Sequence, residues 1–137
     1  MIVNIKDDRA INVAANQDRE NQNVIVYKKQ NALNFQWDIL YVDELEPELK
    51  DGDWWPQYGM YIGKEFSITT ALSSGRYVDL IGTQLVIKSR LASKTQKWFF
   101  DQKTRTVMNA QTKKSLSIQS SGRGNKMNVW TPTSDWF

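Results

Sequence analysis

Apolar and polar residues alternate with a period of two along most of the chain, with β-branched and aromatic side chains on one side. The alternation runs through Ile2-Val3-Asn4-Ile5, Ala10-Ile11-Asn12-Val13, Val24-Ile25-Val26-Tyr27, Phe66-Ser67-Ile68-Thr69, Tyr77-Val78-Asp79-Leu80, Leu85-Val86-Ile87, Ser115-Leu116-Ser117-Ile118 and Val129-Trp130. Such segments predict short strands half-buried in a sheet. Turn residues separate them, as in Ser73-Ser74-Gly75-Arg76, Ile81-Gly82-Thr83, Asp101-Gln102-Lys103-Thr104 and Ser120-Ser121-Gly122-Arg123. The period breaks over Gln30 to Trp37 and over Ser89 to Trp98. One tight helical turn at each break would swing the tryptophan inward, with a further strand following in Asp38-Ile39-Leu40-Tyr41-Val42 and in Phe99-Phe100-Asp101. The chain reads as all-β.

The pattern also repeats. Trp37, Trp98 and Trp136 close three similar stretches, at 25, 19 and 19 residues after the central polar residue of the opening strand, Asn12, Asp79 and Ser117. The six extra residues of the first stretch fall in the polar run 15–23, where a surface loop tolerates insertion. A second surplus, between the first two tryptophans, coincides with Tyr41 to Gly63. Each stretch holds about four strands and could not bury its apolar face alone. Three of them closed about a pseudo-threefold axis would share a core and leave few free edges.

A Val-Asp-Leu strand, a Val-x-Val-Tyr/Trp strand and a closing Gln-x-Trp together resemble the ricin B-type lectin repeat, most closely at Val78-Asp79-Leu80 and Thr95-Gln96-Lys97-Trp98. The resemblance implies a β-trefoil of three four-stranded repeats, at about 2–41, 64–103 and 104–137, in one domain over 1–137. An acidic, aromatic-rich loop at about 42–63 would be inserted between the first and second repeats. It implies a non-enzymatic recognition module, either carbohydrate-binding or turned to protein interaction as a scaffold. The family's sugar site takes an aspartate from the first strand, an aromatic after Val-x-Val and an amide before the closing tryptophan. Mapped by motif, the first repeat offers Asn12, Tyr27 and Asn34, with Phe35 where the motif glutamine would stand. The second offers Asp79 and Gln96 with Lys88 at the ring position; the third offers Trp130, with Ser117 and Ser134 at the polar positions. No repeat carries the full set, and the first is the preferred one. Beside these roles stand structural ones. Asp79 could serve backbone N–H groups of the Ser73–Arg76 turn, Gln96 could satisfy buried backbone, and the closing tryptophans would be core.

Composition narrows the chemistry. The chain of 137 residues suits a single domain with a real core. It has no cysteine and no histidine, which removes disulfides, thiolate metal sites and the commonest general base and metal ligand. No phosphate-cradling glycine loop or metal constellation is legible, so no cofactor or metal is expected. The carboxylates that glycoside hydrolysis would need as a pair, from Glu44 to Asp53, share one loop instead of facing each other across a cleft. An enzyme is therefore not expected. No run approaches the ~18 apolar residues of a membrane span, and Met1 to Asp8 lacks the plan of a secretory signal. Both points fit a cytoplasmic protein.

Charge is uneven. Residues 1–40 are neutral, 41–65 carry net −5 and 66–137 carry net +8. The acidic segment adds Trp54, Trp55, Tyr58 and Tyr61, residue types that dominate interfaces, which makes Trp54, Trp55 and Tyr58 candidates for partner binding or for packing on their own body. The basic half, with Trp98, Phe99, Phe100 and Trp130 interleaved, gives the alternative reading of nucleic-acid binding. Its lysines and arginines fall in turns and form no dense cluster. Only Phe137 follows Trp136, so a completed fourth strand in the last repeat would come from a neighbour, a homo-oligomer or a longer tandem array.

Overall fold

The computed structural model describes residues 1–4, 8–41, 54–55, 60–61, 64–118 and 126–131. Its strands are β1 (Arg9–Val13), β2 (Gln22–Lys28), β3 (Trp37–Tyr41), β4 (Trp54–Trp55), β5 (Met60–Tyr61), β6 (Phe66–Thr70), β7 (Tyr77–Ile81), β8 (Gln84–Lys88), β9 (Trp98–Asp101), β10 (Thr106–Asn109), β11 (Ser115–Ile118) and β12 (Met127–Trp130). Single 3-10 turns, Leu33–Phe35 and Lys94–Gln96, stand where the alternation breaks before Trp37 and Trp98. Ser93 caps the second by accepting from the Thr95 N–H. Of the predicted strand at Ile2 to Ile5, the described residues form an isolated bridge, Val3 to Ala10.

Antiparallel pairing carries β6 to β7, β8, β12, β11, β10, β9 and back to β6, closing a ring of seven strands. The hairpin β1–β2 joins this ring at β8, and β3 joins it at β6. These ten strands form one barrel-like sheet, while β4 and β5 pair only with each other. This corrects the expectation of a β-trefoil of three equal four-stranded repeats. The closed ring draws all its strands from residues 66–130, and the first repeat adds a hairpin and one strand that pair with it at β8 and β6. Period-two alternation fixes which residues are strand and which face they bury, but the partner of each strand depends on long-range register. Equivalent sequences can therefore take unequal places in a sheet.

The inward faces share one core that includes Ile11, Val26, Trp37, Phe66, Ile87, Trp98, Leu116 and Val129. Trp98 is fully buried, and its indole N–H donates to the Val78 carbonyl at 3.3 Å. Trp37 donates in the same way to the Ile11 carbonyl at 3.0 Å. Each large ring thus enters the core with its one polar group satisfied. Trp136 lies outside the described residues. Tyr41 and Phe66, paired across β3 and β6, meet edge to face at 5.7 Å between ring centroids.

Candidate functional site

In the second repeat the motif acid and amide meet inside the body. The Gln96 side-chain amide donates to Asp79 Oδ2 at 3.0 Å and to the Ser89 carbonyl at 2.9 Å, and its oxygen accepts from the Leu91 N–H at 2.8 Å. Asp79 Oδ1 accepts from the Leu80 N–H at 2.6 Å. Asp79 and Gln96 are 2 % and 1 % exposed, so their polar atoms tie the 89–91 loop to β7 and present no open surface. The carboxylate that serves the Ser73–Arg76 turn is Asp18, not Asp79. It accepts from the Ser74 N–H at 2.8 Å, the Ser73 hydroxyl at 3.2 Å, the Ser74 hydroxyl and Arg76 Nη1 at 2.9 Å.

In the first repeat Asn12 and Asn34 are also buried, donating to the carbonyls of Ala10 at 3.4 Å and Val13 at 3.1 Å. Tyr27, by contrast, stands 49 % exposed on β2. In the third repeat Ser117 is buried, Trp130 is 52 % exposed on β12, and Ser134 lies outside the described residues. Of the segment proposed for partner binding, Trp54 and Trp55 form β4, and Tyr58 lies outside the described residues. The structure thus brings Asp79 and Gln96 together and leaves Tyr27 and Trp130 as outward aromatics on separate strands.

Cross-strand register places Trp130 in a row that the sequence alone did not reveal. Phe99 pairs with Met108, Met108 with Ser115, and Ser115 with Trp130, across β9, β10, β11 and β12. Their chain neighbours Trp98, Phe100, Val107, Leu116 and Val129 belong to the core, so this row lies on the outer face. Lys113 Nζ stands 5.1 Å from the Phe99 ring centroid, and Lys114 Nζ stands 5.5 Å from that of Trp130, both within cation–π range. Beside the row and joined to it at Ser115, Asp101 Oδ2 accepts from the Thr104 hydroxyl at 2.6 Å; Thr104 meets Thr106 at 2.8 Å and Thr106 meets buried Ser115 at 2.6 Å. This chain of bonds links β9, β10 and β11.

Two further features escaped the sequence. Burial alone would raise the Asp18 carboxyl, but the hydrogen bonds from Ser74, Arg76 and Ser73 hold it below the ordinary carboxylate value. Glu20 is lowered by the hydroxyl and N–H of Ser89, at 2.8 and 2.6 Å, helped by Arg76 and Lys88. Both acids come from the polar insertion of the first repeat and latch it to the second. The only signal for this was the excess of side-chain acceptors in residues 15–23. The second feature is an open cavity of about 600 Å³ bordered by Glu65, the loop from Arg90 to Lys94, and Lys97. Among the described residues no group of three or more acids could hold a metal ion, and no helix is long and apolar enough to cross a membrane.

No protein-family model matches the sequence, and no curated protein does. Solved structures resemble its fold. A designed three-fold symmetric protein, ThreeFoil, matches with a TM-score of 0.66 and 17% identity over 94% of this chain and 89% of its own. A GH43 beta 1,3 galactosidase matches with a TM-score of 0.61 and 12% identity over 98% of this chain and 25% of its own, so this chain spans a quarter of that protein. At these identities the likeness is one of fold: an all-β chain with a β-trefoil-like neighbour.

Proposed function

We propose that the chain is a non-enzymatic recognition module of lectin-derived type that takes a protein partner on the outer face of β9 to β12. The observation that carries this reading is Trp130, half-exposed on a regular strand at the end of a row with Phe99 and Met108. Aromatic rings held on rigid strands give large contact area with little side-chain entropy to lose, and tryptophan leads the residues that dominate interface energies. A sugar would stack on a free ring face. Here Lys114 stands over Trp130, and the acid and amide that would fork onto hydroxyls are internal. An acidic protein surface suits such a face better, since it pairs the two lysines while burying the rings. Glycan binding is the second reading, because one protein of similar fold is a galactosidase.

The test compares wild type with Trp130→Ala and Tyr27→Ala by quantitative cross-linking to partners and on a glycan array. Trp130→Ala is expected to weaken capture of the partner by about tenfold or more with an unchanged melting curve. Capture equal to wild type in Trp130→Ala sinks the reading. Array signals lost with either variant move the conclusion to glycans. Binding to single-stranded nucleic acid that collapses with rising salt moves it to the nucleic-acid alternative.

A further inference from the structure

The cavity beside the second repeat has a chemistry of its own. Arg90 and Lys94 are exposed and have no side-chain hydrogen bond or ion pair among the described residues. Lys97 is held by a hydrogen bond from its Nζ to Ser67 Oγ at 3.1 Å. Glu65, half-buried and also on the border, forms no ion pair with any of the three cations. The described lining therefore carries net charge +2, with Leu91 and Ala92 as its apolar part. The volume lies within the range of small-molecule sites, about 300–1,000 Å³.

We propose that this cavity binds a sugar-sized organic phosphomonoester. A phosphomonoester carries about −1.5 to −2 at pH 7, which balances the lining charge. The Arg90 guanidinium offers a planar fork of donors to its oxygens, and Lys94 and Lys97 add point charges. A bare phosphate would leave most of the space empty. A sugar body fills it, laying C–H groups on Leu91 and Ala92 while the Glu65 carboxylate accepts from a hydroxyl. Neither Asp79 nor Gln96 borders the cavity, but Gln96 holds in place the loop that carries Arg90 and Leu91, and the lining shares no residue with the Trp130 face.

The test titrates the chain with glucose 6-phosphate, glucose and inorganic phosphate, following amide shifts by NMR. Glucose 6-phosphate is expected to shift the amides of residues 90–97, with inorganic phosphate about tenfold weaker and glucose silent. Arg90→Ala with Lys94→Ala, both exposed positions, abolishes the response while the remaining spectrum is kept. Glu65→Gln weakens the sugar phosphate and strengthens inorganic phosphate. The proposal is overturned if no probe binds, if glucose or inorganic phosphate binds as tightly as glucose 6-phosphate, or if the double variant still responds. Trp130→Ala leaves this titration unchanged, so failure here and failure at the outer face read out separately.

Discussion

Trp37 and Trp98 close their repeats alike, each donating its indole N–H to the residue before the central polar position of β1 or β7. Sixteen residues before each tryptophan the backbone is left-handed, at Asn21 (φ 62°) and Gly82 (φ 61°), the two residue types that accept that conformation most easily. Between these shared points the two repeats diverge. Two residues before the tryptophan stands Phe35 in the first and Gln96 in the second; five before stand Ala32 and the capping Ser93; eight before stand Lys29 and Arg90. Lys29 is paired with Asp8 at 2.9 Å, whereas Arg90 and Lys94 have no ion pair among the described residues. The first repeat closes on an apolar ring and a neutralised loop. The second closes on a buried acid–amide network whose loop is left cationic and free to meet an anion. A common backbone course therefore fixes the closing indole but leaves the chemistry of the adjoining loop open to change.

The deepest break in this comparison comes from the tryptophans themselves. Trp98→Ala empties a fully buried site and is expected to cost about 3–5 kcal/mol, and Trp37→Ala less, because its 8 % exposure leaves a site that water partly relieves. Denaturant melts of both variants check this, and a larger loss at Trp37 would reverse the ranking. Next in size is the network. Gln96→Ala takes from Asp79 Oδ2 and from the Leu91 N–H the partner they share inside the fold, while Asp79 Oδ1 keeps the Leu80 N–H, for an expected cost of about 2–3 kcal/mol. Asn12→Ala removes a long bond of 3.4 Å and should cost under about 1 kcal/mol. Equal losses would mean that Asp79 and Gln96 are not the firmer closure.

An effect smaller than that of Gln96→Ala concerns the latch that joins the two repeats. Asp18→Asn is expected to cost about 1.5 kcal/mol at neutral pH, by weakening the bonds to Ser74 and Arg76. Because the folded carboxyls of Asp18 and Glu20 lie below their ordinary values, their contribution is complete above the unfolded values and is lost as pH falls through the folded ones. The difference between wild type and an Asp18→Asn, Glu20→Gln variant should therefore shrink on acidification below about pH 4. A difference that stays constant from pH 7 to pH 3 would show that the carboxylate charge is not what holds the latch.

Much of the local fold was legible. Alternation marked β1, β2, β6, β7, β8 and β11, and its interruption marked the 3-10 turns before Trp37 and Trp98, because burying one face of a strand demands a period that a tight turn must break. The strand β10 was missed, since Thr106-Val107-Met108-Asn109 buries its polar ends as well as Val107 and so shows little contrast. Ring closure was not legible either; it rests on single-residue pairings such as Phe66 with Trp98 and Asn128 with Gln84, far apart in the chain. Of the site, the exposed Tyr27 and Trp130 could be picked out, but the outer row required the register of four strands. The cavity required Glu65 and Arg90 to be neighbours, and no spacing rule relates them. Most of the acidic segment lies outside the described residues.

Four outward groups of β1 are occupied: the Arg9 carbonyl accepts from the Asn4 N–H, the Ile11 N–H donates to the Ile2 carbonyl, and the Ile11 and Val13 carbonyls accept from Trp37 and Asn34. Side chains from the closing turn thus seal what would otherwise be a template for a foreign strand. Polymerisation by sheet extension is thereby hindered at that end, and among the described residues the other terminus of the ten-stranded order is β3.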